Sequence, residues 1–133
     1  MEAFRRYANG HTRQDYAQGY SRAWPETVFR VQDYRSVEAP ANLVTCWFPF
    51  LSETSALAWG LPLNLLKPKE LFYRISENIK PAGGLFMVNH GAREADDAAA
   101  LCDSVGLTRQ WVWTDPDPLR PRPQPPVASY WQH

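Results

Sequence analysis

A charge of one sign is what this sequence most plainly lacks. Fourteen basic and 14 acidic side chains give a formal net charge of +0. No long-range field therefore draws the chain to nucleic acid or to an anionic membrane. Long apolar runs are missing too. Nothing approaches the roughly 20 consecutive apolar residues of a membrane span, and residues 1–10 are too polar and charged to read as a secretory signal. Cysteine is scarce. The two, Cys46 and Cys102, each lie in an apolar segment with no second Cys or His at zinc-ligand spacing. Buried free thiols in a reducing, cytoplasmic setting are the reading, with a disulfide as the alternative. No phosphate-cradling loop, no metal motif and no nucleophile–His–acid set is visible.

What is present is an aromatic, proline-rich, globular composition. Hydrophobic residues make up 44% of 133, with six Trp, six Tyr and six Phe. That is enough apolar surface for a real core, in a chain small for a complete doubly wound enzyme. Twelve prolines are many, and Pro116, Pro118, Pro121, Pro123, Pro125 and Pro126 crowd into one stiff, extended stretch. One domain is expected over residues 1–133: an N-terminal helical segment over 1–25, then an α/β unit over 26–133 with a Pro-rich loop at 115–126.

The periodicities place the elements. A loose helical spacing over 12–23 is ended by Pro25. Val28-Phe29-Arg30-Val31 is a short β-rich run. The almost continuous apolar run 43–48 has the pattern of a strand buried on both faces, stopped by Pro49. Residues 52–66 are apolar but broken by Gly60 and Pro62, which predicts a lid-like loop with a short helix. Pro68 suits the first turn of a helix over 69–79, whose stripe is Leu71, Phe72, Ile75 and Ile79. A strand follows at 85–88, then an Ala-rich helix over 94–105 with acids at its start. Next come a strand over 107–114, alternating Leu107, Arg109, Trp111 and Trp113 on one face, and a last strand over 127–132. Strands alternating with helices imply a mostly parallel α/β sheet, and the final pair without a helix implies an antiparallel edge. No internal repeat appears.

Three stretches in this order resemble the class I, Rossmann-like S-adenosylmethionine-dependent methyltransferases, in their C-terminal half only. Asn42 through Phe50 is similar to that family's fourth strand and the motif at its end. The helix from Leu71, then Lys80-Pro81-Ala82-Gly83-Gly84 and Leu85 through Val88, is similar to its helix, Pro-Gly-Gly turn (with Ala82 inserted) and fifth strand. Leu101 through Leu107 is similar to its last helix, glycine turn and sixth strand, and 127–132 falls where its seventh strand belongs. The resemblance implies a partial methyltransferase sheet, with S-adenosylmethionine as the cofactor by resemblance only. It also places Asp33 and Tyr34 where a third strand would end and contact adenine. The family's glycine-rich turn and its ribose-binding carboxylate have no counterpart here.

Each candidate residue has two readings. Asp33 and Tyr34 are adenine contacts or a strand-end turn. Trp47, Phe48 and Phe50 stack on a planar substrate, as ligands collect at carboxyl ends of parallel strands, or simply pack. Glu53 orients a donor group or is a solvated acid. Asn89 and His90 end the fifth strand on that same side, where a His serves as a general base or as a hydrogen-bonded structural residue. Arg120 and Arg122 bind a partner or are solvated. Without its first two strands the sheet would leave 43–48 as an apolar edge, which invites pairing. A homodimer or an obligate protein partner is expected. The functions in view are a methyltransferase-like protein that is not catalytic as an isolated chain, a non-catalytic small-molecule-binding or assembly module, and an enzyme of another class.

Overall fold

A computed structural model of the chain describes residues 6–114 and 123–133. Two compact units divide at Met1–Asp33 and Tyr34–His133. In the first, helix α1 runs Arg13–Ala23, close to the expected span. Thr12 caps it: the Asp15 N–H donates to Thr12 Oγ1 at 3.1 Å and the Thr12 N–H donates to Asp15 Oδ2 at 2.7 Å. This reciprocal pair satisfies two otherwise orphaned donors. The same N–H, followed by the Thr12 hydroxyl, holds the Asp15 carboxyl below its ordinary range. The expected strand at 28–31 is absent: those residues carry no strand, and Val28 is 73% exposed. Four residues of β propensity make no strand unless another strand pairs with them.

The second unit holds a four-stranded sheet. Its strands are β1 (Ala41–Trp47), β2 (Ile79–Asn89), β3 (Thr108–Thr114) and β4 (Val127–Gln132), in the order β1-β2-β4-β3. β1 and β2 are parallel, while β4 is antiparallel to both β2 and β3. Helix α2 (Glu53–Ala58) and a 3-10 turn at Leu63–Leu65 form the short helix and loop expected after β1. Helix α3 (Pro68–Asn78) precedes β2 and helix α4 (Ala92–Ser104) follows it. This is the partial methyltransferase-like α/β arrangement, with its antiparallel pair at one side. Of the proline-rich loop at 115–126, residues 115–122, with Arg120, lie outside the described residues, as does Arg122.

One face of the sheet makes the core. Val44, Leu85, Met87 and Trp131 meet Phe72 and Ile75 of α3 and Ala98 and Cys102 of α4. Period-2 alternation brings Val44, Leu85 and Met87 to this face, and helical spacing brings Phe72 and Ile75 to meet them. Phe72, Leu85 and Met87 are fully buried, each stabilising by about 1.5–3 kcal/mol relative to exposure. Pro68 takes the first helical position of α3, where a missing N–H costs nothing.

Three expectations are corrected. β1 is an outer strand of the sheet, as the missing strands implied, but it is half-buried rather than buried on both faces: Leu43 and Trp47 are 54% and 61% exposed. β2 begins at Ile79, not at Leu85, because Ala41 pairs with Ile79 while Leu43 pairs with Gly84, so residues 80–83 loop out of the ladder. In β3, Leu107, Arg109, Trp111 and Trp113 do not share a face. Arg109 pairs with Trp131 and Trp111 with its neighbour Tyr130, so Gln110 is an extra, bulged residue. A bulge shifts the alternation by one, which sends Arg109 over the Trp131 indole at 5.6 Å and Trp111 to the other face. No helix among the described residues is long and apolar enough to cross a membrane.

Candidate functional site at the carboxyl ends of β1 and β2

Parallel pairing of β1 with β2 brings two sequence-distant turns together. Trp47 pairs with Val88, so the segments after both strands emerge side by side. Phe48 follows with φ of 53°, a left-handed conformation that costs a non-glycine residue of order 1–3 kcal/mol. Two contacts hold it. Its N–H donates to the Val88 carbonyl at 2.8 Å, and its ring stacks on His90 with centroids 4.1 Å apart and planes 16° from parallel. Phe50 meets the Trp59 ring edge-on at 5.8 Å, just beyond the end of α2.

Of the residues singled out in the sequence, Trp47, Phe48, Phe50, Asn89 and His90 all lie at this end of the sheet. Tyr34 does not join them. Tyr34 begins a 3-10 turn, and its hydroxyl oxygen accepts from the Asn78 amide at 3.2 Å. Asn78 closes α3 just before β2, so Tyr34 sits at the amino end of β2, opposite to His90. Asp33 is exposed and belongs to the other unit. Glu53 is an exposed acid in the first turn of α2.

Beneath the stack is a buried polar group that sequence reasoning did not foresee as a cluster. Asn89 is wholly buried; its amide donates to Glu94 Oε1 at 3.4 Å, and its Oδ1 has no hydrogen-bond partner among the described residues. Cys46 lies near. Burial, and secondarily the Glu94 carboxylate, push its thiol up to about 11. Cys102 is pushed up to about 12, by burial first and then by Asp103. Both are free cysteines and stay protonated at neutral pH, so neither is a ready nucleophile. Only the i, i+5 spacing of Asn89 and Glu94 hinted at this group; Cys46 needs the strand register.

The residues here do not compose a cradle for S-adenosylmethionine. Gly91, which follows His90, gives no open approach to backbone: a side chain built there would meet Gln124 at 3.0 Å. Glu94 is engaged with Asn89. What the site offers is a partly exposed aromatic stack beside an exposed imidazole.

Two solved structures share this fold. An S-adenosylmethionine-dependent methyltransferase from Clostridium acetobutylicum superimposes with a TM-score of 0.61 at 10% identity, covering 90% of this chain and 70% of its own. A provisionally assigned DNA modification methylase from Thermus thermophilus superimposes at 0.50 with 18% identity, covering 77% of this chain. The chain spans about half (52%) of that second protein. The fold is therefore that of the class I methyltransferases, in part. No protein-family model and no curated protein matches the chain.

Proposed function

We propose that this chain is a methyltransferase-like half-fold that is not catalytic by itself and acts with a second polypeptide. The observation that carries this reading is the position of β1. It is the outer strand, with Leu43 and Trp47 in water, and an apolar edge of this kind is normally covered or paired. The absence of a fitting cradle at Gly91 and Glu94 supports the non-catalytic half of the reading. S-adenosylmethionine enters by resemblance to the solved methyltransferases, and no step is assigned to it.

A second reading, a small-molecule-binding or assembly module, is favoured by the Phe48–His90 stack. A planar ring would extend that stack at modest cost. Thermal melting tests the first reading. A ligand present at 100 times its dissociation constant stabilises by about 2.7 kcal/mol, so a cofactor site would raise the melting midpoint by several degrees. S-adenosylmethionine is expected to leave the midpoint unchanged. A clear rise would show that the site grips the cofactor unaided.

A further inference from the structure

The face of the sheet turned away from α3 and α4 carries a row of rings that runs on from Trp47. Trp47 of β1 lies 5.7 Å from Phe86 of β2, Phe86 lies 6.0 Å from Trp111 of β3, and Trp111 stacks on Tyr130 of β4 at 6.3 Å. The row thus crosses all four strands. Leu43 and Trp113 flank it. Trp47, Trp111, Trp113 and Leu43 are 61, 43, 54 and 54% exposed. At up to roughly 250 Å² for a whole Trp side chain, these four leave on the order of 500 Å² of apolar surface in water, near the top of what a monomer ordinarily shows. With the half-buried rings between them, the patch approaches the ~800 Å² that each partner contributes to a stable complex.

We propose that this aromatic face is a self-association surface, and that its occupant is the same face of a second copy of the chain. The inference rests on the reading that the chain acts with a second polypeptide, and it names that polypeptide. Charge decides between occupants. Aromatic sheet faces that stack nucleobases work beside cations that neutralise phosphates. None of the six side chains named here is charged, and Arg109, the basic residue of β3, is turned to the opposite face over Trp131. An uncharged aromatic surface is instead complementary to itself. A two-fold axis lays it on its own image, and a net charge of +0 sets no repulsion between copies. Aromatic residues are also the side chains enriched at the centres of interfaces.

Light scattering after size exclusion tests this on the full chain at micromolar concentrations. The expected mass is twice 15.3 kDa. Trp47→Glu and Trp113→Glu each place a carboxylate on the face. Each is expected to weaken the dimer at least about tenfold, as loss of an interface anchor does, and the double variant to run as a monomer. Circular dichroism melts verify that the variants fold, since both positions are more than half exposed. A wild-type mass of 15.3 kDa throughout would overturn the inference. So would a dimer that the double variant leaves intact; that outcome moves the interface elsewhere but keeps the reading that a second chain is needed. Saturable quenching of tryptophan fluorescence by a single-stranded oligonucleotide, in a monomeric chain, would overturn it in favour of nucleic acid.

Discussion

The two faces of one sheet are built from similar side chains and do opposite work. Toward α3 and α4, Trp131 is 2% exposed, its indole N–H donating to Ser129 Oγ at 2.9 Å. On the other face, two residues of the neighbouring strand, Trp111 and Trp113, stand about half in water. Hydrophobicity does not distinguish them. Register does: regular pairing with Leu85 sets Trp131 in the core, and the bulged residue Gln110 turns Trp111 and Trp113 to the open face. The lesson is that a tryptophan's role follows from the face it reaches.

The comparison breaks most easily on the covered face. Trp131→Ala is expected to cost about 3–5 kcal/mol, the usual loss for a buried aromatic, read as a drop in the urea midpoint. A loss under about 1 kcal/mol would mean that this face is not the core. Gly84→Ala tests the open face from within. A Cβ at Gly84 would lie 2.6 Å from a carbon of the Tyr130 ring, so the ring must move. Destabilisation of about 1–3 kcal/mol is expected from such overpacking, measured in the same titration, together with a weaker dimer.

The thiols sharpen the comparison through pH. Below the ordinary thiol value of 9.0, folded and unfolded chains both hold their thiol protons, and the burial of Cys46 and Cys102 contributes in full. Above it the unfolded chain releases protons that the folded chain keeps up to about 11 for Cys46 and about 12 for Cys102. Stability therefore falls as pH rises from 9.0 through that window. Cys102→Ala should flatten the slope of denaturation midpoint against pH, whatever its effect on the midpoint itself. The smallest effect belongs to Trp113→Ala. On an open face it should change the stability of the monomer by no more than about 0.5 kcal/mol, measured in dilute solution. A core-sized loss there would erase the distinction between the faces.

Much of this was legible in the sequence. Helical spacing gave the Phe72–Ile75 stripe and Pro68 its place, and the apolar segments located β1, the later part of β2 and β4. The five residues Trp47, Phe48, Phe50, Asn89 and His90 were correctly placed at one end of the sheet, because parallel strands send their carboxyl ends the same way. The contact between Phe48 and His90 was not visible, since it depends on pairing between residues about 40 positions apart. Gln110 escaped notice because one extra residue reverses a strand's faces without altering its composition. The run at 28–31 misled for the converse reason: its β propensity is real, but no ladder supports it. Tyr34 was assigned to a strand end, and it packs on α3 instead, held by Asn78.

The function turns on whether the chain alone holds the cofactor of the enzymes it resembles. Titration calorimetry of the full chain with S-adenosylmethionine, at neutral pH and moderate salt, measures this directly. The expected result is no saturable heat beyond dilution. A one-site isotherm with a micromolar dissociation constant would contradict it, and would show that a working cofactor site is present in this half-fold.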